Sequence, residues 1–478
     1  MTQLLRCSAA LAIIAGAVMS QTTSHNVALL STFAPIDTFS DIWGYAEPGT
    51  GREMALLTSR QGTYFVETTD PVHPVQRGYI SAAASGWSPS TWRDARTFGH
   101  YAYIVTEGGG GMQIVDLAVF NSPQLVRTFR PAGINWSNTH NVSVDLKTGQ
   151  LWALGTSGGA HVFDLNTNPT NPSYIGSYTA EYVHDLQSQD GVAYVSEINR
   201  GFLRLLDVRA LPAMPQIGAV GLTAQHQAWP SWDDTFVASA QEAIGGVVTI
   251  FRTSTPGQLP QLSQYVFPAN PLSSSVHNVF LRDRVLHCAW YNSGYAAADL
   301  SDPANPVTIG WYDASNGLSA FSGVWGCYPF QPSGNVYISD IQLGMAVLRP
   351  RSTPSHYGAA TPGNHASELH TFGSGWLGNP TFGLELRDAA PGSAVFFFVG
   401  TAPLSLSAFG HTLLVDTTVG GIAQSSANAK GYARTFIPLP NDPVLDGVSI
   451  HAQCIVQDAG GPLGVASTDG LRFELFVR

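Results

Sequence analysis

The chain has 478 residues, of which 12% are charged and 11% aromatic, with 49 glycines and 30 prolines. Ordinary soluble domains carry roughly 25% charged residues and long helices need Glu, Lys and Ala faces, so this composition excludes a helical protein and favours short strands joined by Gly/Pro turns. The net charge of −11 excludes a nucleic-acid partner, because neutralising phosphates requires a basic surface.

At the N-terminus, Met1–Arg6 precedes the apolar run Leu11–Val18, followed by Ser20 and Gln21. The run is too short to span a bilayer. Residues 1–20 therefore read as a secretory signal peptide, and the protein is expected to be secreted, periplasmic or held at the cell surface. No later segment is apolar enough for a membrane helix. Cys7 lies ahead of the apolar run, where a lipidated cysteine would not sit. Cys288, Cys327 and Cys454 are too few for a disulfide framework. Cys288 and Cys327 fall in neighbouring repeats, which leaves a bond or two buried thiols open.

Between residues 26 and 350 one three-strand phrase returns seven times. Its first strands start around Ser40-Asp41, Arg93-Asp94, His140-Asn141, His184-Asp185, His226-Gln227, His277-Asn278 and Trp325-Gly326. From His140 through His184, His226 and His277 to Trp325 the spacings are 44, 42, 51 and 48 residues. That period fits a four-stranded propeller blade; a helical solenoid would show a 3.6-residue apolar period. Second strands such as AYIVTE (102–107) and VYISD (336–340) are nearly continuous apolar runs, as expected of strands covered on both faces. Third strands open on a glycine, and proline-rich turns such as Asp302-Pro303-Ala304-Asn305-Pro306 lead to an outer fourth strand.

The seventh repeat stops at Arg349-Pro350 without a fourth strand, while VALLSTFA (27–34) reads as a fourth strand without its first three. Pairing the two closes a ring and leaves no open edge. The expected fold is all-β: a seven-bladed propeller over 21–350 closed by an N-terminal strand, a linker at 351–368, and a small antiparallel β-sandwich at 369–478.

These phrases carry a resemblance. DIWGYAEPGTGRE (41–53), STWRDART (90–97), NTHNV (138–142), YVHDL (182–186), GVWGCYPF (323–330) and MQIVDL (112–117) resemble the LVIVD-repeat, choice-of-anchor B type of secreted bacterial β-propeller. The C-terminal stretch 439–475 is similar to a sandwich domain that ends many secreted planctomycete proteins. The resemblance implies fold and export. It brings no settled activity, and neither a sorting helix nor a lipobox is evident.

The first strand of a propeller blade lines the central channel, so residues at equivalent starts gather around the axis. His140, His184, His226 and His277 head four consecutive repeats, beside Trp43, Arg93 with Asp94, Asp185, and Trp325. Second strands return to the same face with Glu107, Glu197, Glu242 and Asp340. Neutral imidazole is the commonest metal ligand, and a carboxylate behind it can fix its tautomer, so the four histidines are candidate ligands for a divalent transition metal. A repeat-heading histidine can instead tie neighbouring blades together, and the Asn, Asp or Gln after each one suits backbone hydrogen bonding. The chain is expected to be a monomeric binding module for a small ligand, a metal or an extracellular or cell-surface protein. Its rival is a copper-type oxidoreductase, by analogy with selenium-binding-type propellers. Ser/His/Asp hydrolysis has no nucleophile-elbow signature here, and Glu107–Gly111 lacks the lysine and helix of a phosphate loop.

Overall fold

The computed structural model describes residues 23–254, 257–267, 274–314 and 319–478. The segment read as a signal peptide lies outside them. Strands dominate, and the described residues contain no α-helix. Among the described residues no helix is long and apolar enough to cross a membrane.

Seven antiparallel sheets share one four-strand plan. Their first strands are Phe39–Ala46, Arg93–Phe98, Asn141–Asp145, Asp185–Gln189, Gln225–Pro230, Val279–Arg282 and Val324–Tyr328. The sixth sheet gains a short fifth strand, Ser24–His25. In the seventh, Val27–Phe33 supplies the missing outer strand, with Val27 opposite Pro350 and Phe33 opposite Met345. The first strand of each sheet lies against the first strand of the next, and that of the seventh lies against that of the first.

The apolar second strands are buried on both faces, as their composition requires. Tyr103, Val105 and Ile114 of the second sheet pack on Val142, Leu151 and Phe163 of the third. Fully burying one such side chain contributes about 1.5–3 kcal/mol, so contact between successive sheets is the main cohesive force.

The C-terminal part has a six-stranded and a three-stranded sheet. Leu369, Leu384 and Ala433 of the smaller share one core with Val395, Phe397, Cys454 and Leu471 of the larger. The stretch expected as a linker is fixed at several points: Ser355–Tyr357 pairs with Gly470–Glu474, and Arg351 bonds Glu474 at 2.7 Å and Asp446 at 2.8 Å. Asp299 of the sixth sheet anchors the C-terminal part, its Oδ2 accepting from the Ser374 backbone (2.8 Å), Ser374 Oγ (3.1 Å), Trp376 Nε1 (3.2 Å) and Asn379 Nδ2 (3.1 Å). Asp283 is gripped by His370 at 2.8 Å and Arg387 at 3.2 Å. Cys288, Cys327 and Cys454 are free and buried, which resolves the open pairing in favour of thiols.

Candidate functional site

The four repeat-heading histidines converge. With Trp325 and Trp92 they form an arc of rings in the order Trp92, Trp325, His277, His226, His184, His140, with neighbouring centroids 4.1–4.7 Å apart. Local backbone irregularity aims two of them. The ladder of the fifth sheet skips between Gln225 and Gln227, and that of the seventh between Val324 and Gly326, so His226 and Trp325 sit on β-bulges. A bulge bends its strand and redirects the side chain, which is why bulges recur beside functional sites.

The imidazoles divide by their partners. His277 Nδ1 lies 2.6 Å from the Trp325 carbonyl, which can only accept, so Nδ1 carries the proton and Nε2 keeps its lone pair. His140 Nδ1 meets Glu107 Oε1 at 2.6 Å. His184 and His226 are only 7% and 1% exposed, and each interacts with the backbone of the next heading residue, His226 and His277 respectively. His226 Nε2 lies 3.6 Å from Glu242 Oε2, and Tyr291 donates its phenol to Glu242 Oε1 at 2.5 Å. Donor atoms of His184, His226 and Glu242 all lie within 4.8 Å of one another, the one metal-competent group among the described residues.

Burial, followed by repulsion from the neighbouring imidazoles, holds His184 and His277 well below the usual histidine range, and burial lowers His226. All three are neutral near pH 7, the state that ligates. A histidine whose folded pKa is depressed adds stability above its unfolded pKa of about 6.5, and that stability is lost as pH falls further. Relative to His184→Gln, the native protein is therefore expected to lose up to about 1.4 kcal/mol of stability per pH unit below pH ~6, read from denaturation midpoints of both proteins. Equal slopes would show that His184 binds its proton as readily folded as unfolded.

The position after each heading residue ties sheets together. Asp94 Oδ2 accepts from the Val142 backbone at 2.9 Å, Asn141 Nδ2 donates to the His184 carbonyl at 3.2 Å, and Gln227 Oε1 accepts from the Val279 backbone at 2.5 Å. At Gly326 this position must lack a side chain, since a Cβ would stand 2.1 Å from Asp41 Oδ1. Among these buried groups lies Arg96, 2.6 Å from Asp94 and 3.4 Å from Asp41. Burial pushes Asp185 up to about 7 despite the nearby Arg96 charge. Asp94 and Asp185 thus serve the framework beneath the histidines.

Four expected members lie elsewhere. Arg93 turns between the first two sheets, donating from Nε to the Ser59 carbonyl at 3.0 Å, and burial lowers its pKa to about 10. The preceding residue, Trp92, takes the place in the arc. Glu197 is fully buried against Arg204 at 2.6 and 2.8 Å, because an arginine on the adjacent strand outcompetes the imidazoles for it. Asp340 caps its own turn, accepting from Gln342 N and Leu343 N at 2.8 and 2.9 Å. Trp43 lies three residues beyond its strand head, among Phe280, Tyr328 and Phe330. Sequence reasoning also missed Tyr291 and Trp92. Tyr291 follows the second strand of its repeat directly, as Glu107 does, and that equivalence could have found it. No protein-family model and no curated protein sequence matches the chain.

Proposed function

We propose that the seven sheets are the blades of a closed seven-bladed β-propeller followed by a β-sandwich, in an exported binding module of the LVIVD-repeat type, and that His184, His226 and Glu242 hold a divalent transition metal. The cyclic succession of first-strand contacts and the pairing of Val27–Phe33 with Gly344–Pro350 support the propeller. The observation that carries the metal is the convergence of donor atoms of buried His184 and His226 and of Glu242 to within 4.8 Å of one another, with His226 Nε2 3.6 Å from Glu242 Oε2. A His₂/carboxylate donor set suits zinc or copper. Tyr291 orients Glu242 from behind, and the carbonyl of Trp325 fixes the tautomer of the adjacent His277.

A bound ion supplies Lewis acidity, or redox chemistry if it is copper. Three protein donors leave a position free for a small ligand, which also favours a second reading as a metal-dependent oxidoreductase. Elemental analysis of protein purified without added metal tests the site. Native protein is expected to carry about one zinc or copper per chain, and His184→Ala/His226→Ala or Glu242→Gln to carry below about a tenth of that. Metal-free native protein that takes up none on dialysis against zinc or copper would sink the proposal. Metal-loaded protein that oxidises no added reductant would confine it to binding.

A further inference from the structure

Far from the histidine arc, a second feature is built for a ligand. Three residues along the first strands from His226 and Trp325 stand Trp229 and Tyr328, about 10 Å further down the channel at the usual rise of a strand. Here the strand ends meet the C-terminal sheets around two adjoining cavities of about 600 and 340 Å³. Both are lined by Trp232, Phe330, Glu368 and Arg387. Cavities of this size at a junction between structural units, here with aromatic walls among mostly polar and charged lining residues, have the volume of a small-molecule site.

The charges decide the ligand class. Arg96 is neutralised by Asp94 and Asp41, and Arg387 by Glu385 at 3.1 Å and Asp283 at 3.2 Å. Arg282 meets Asp283 at 3.4 Å and Arg284 pairs with Asp233, so every arginine described as lining the two cavities has a carboxylate partner. The smaller cavity is also bordered by Asp145, Asp190, Glu368 and Asp388, against Lys147 alone, which lies 3.1 Å from Asp190 and 3.9 Å from Asp388. Glu368 and Asp388 keep 67% and 54% of their side chains exposed, so their charges face the opening. His370, with its pKa raised, offsets part of the Glu368 charge from 3.3 Å. The aromatic walls already accept cations: the Arg96 guanidinium lies 4.0 Å over Trp43, and that of Arg387 lies 4.3 Å over Trp232.

We infer that this cavity binds a small organic cation of the alkylammonium class. The indole and phenol faces would take its charged head and the carboxylate rim would draw it in; aromatic faces attract such cations through their quadrupole, most strongly where water is excluded. The site is independent of the metal at the other end of the channel. Calorimetric titration of the full chain with choline and with its neutral isostere 3,3-dimethyl-1-butanol tests it. Choline is expected to bind at least about tenfold more tightly than the isostere and to weaken with added salt. The rim variant Asp190→Asn/Glu368→Gln/Asp388→Asn, confirmed by an unchanged thermal transition, is expected to lose about tenfold in affinity. Equal binding of choline and the isostere, an unweakened rim variant, a preference for a neutral sugar such as cellobiose, or no heat at millimolar choline would each overturn the inference.

Discussion

A chain that begins at Ala34 is expected to lose cooperative folding, and a synthetic peptide of residues 24–34 to restore it. The truncation strips Val27–Phe33 from the seventh sheet and bares the Gly344–Pro350 edge. Val27 is 5% exposed, and burying such a side chain contributes about 1.5–3 kcal/mol. Leu30 and Phe33 pack partly buried against Tyr337, Met345 and Val347. Adding about 1 kcal/mol for each ladder hydrogen bond brings the loss to about 5–10 kcal/mol, comparable with the roughly 5–15 kcal/mol that holds a whole domain together. An exposed apolar edge also invites pairing with other chains, so aggregation should accompany the loss. Circular dichroism melts with and without the peptide measure the effect, since an added strand can dock on a vacant edge. A truncated chain that melts as the full-length protein does would show that the seventh sheet stands on three strands.

The strand plan was legible because its signals are local. Near-continuous apolar runs, glycines at third-strand starts and prolines ahead of outer strands mark the units, and the orphan strand VALLSTFA found its partner by elimination. The four histidines were legible for the same reason, as equivalent positions in a repeat. What the sequence hid depends on single-residue shifts and on competition. The choice between Arg93 and Trp92 for the arc turns on a one-residue offset. The seventh-sheet bulge sends Trp325 to the histidines, while Trp43, a few residues along another first strand, faces the far cavity. Glu197 closes its second strand and Glu242 directly follows the equivalent one, yet Glu197 is taken by Arg204 whereas Glu242 faces His226 and Tyr291. No periodicity encodes such pairings. Nor does it reveal that His370, in the C-terminal part, reaches across to Asp283.

Arg96→Leu is expected to destabilise the protein by about 3–5 kcal/mol, the usual cost of leaving a buried charge without its partner. Arg96 and Asp94 have side chains only 5% and 1% exposed, and Asp41 lies within 3.4 Å of the same guanidinium nitrogen. Burial and the neighbouring Asp94 already raise the pKa of Asp41 well above the carboxylate range even with Arg96 present. Removing the cation raises the folded-state values of Asp41 and Asp185 further, because the Arg96 charge is what lowers them. For a carboxyl whose folded pKa is raised, stability is present at low pH and lost as pH climbs through that pKa. The deficit of Arg96→Leu should therefore be greatest near neutral pH and shrink on acidification toward pH ~4, where the folded-state carboxyls are protonated and those of the unfolded chain are about half protonated. Adding Asp41→Asn and Asp94→Asn to Arg96→Leu should recover most of the loss, since a buried ionic cluster replaced as a whole often costs little. Urea denaturation of the three proteins (native, Arg96→Leu, and Arg96→Leu with both asparagines) at pH 7 and pH 4.5 makes the comparison. A deficit that is flat with pH and unrelieved by the asparagines would mean that Arg96 acts through its packing on Trp43 rather than through its charge.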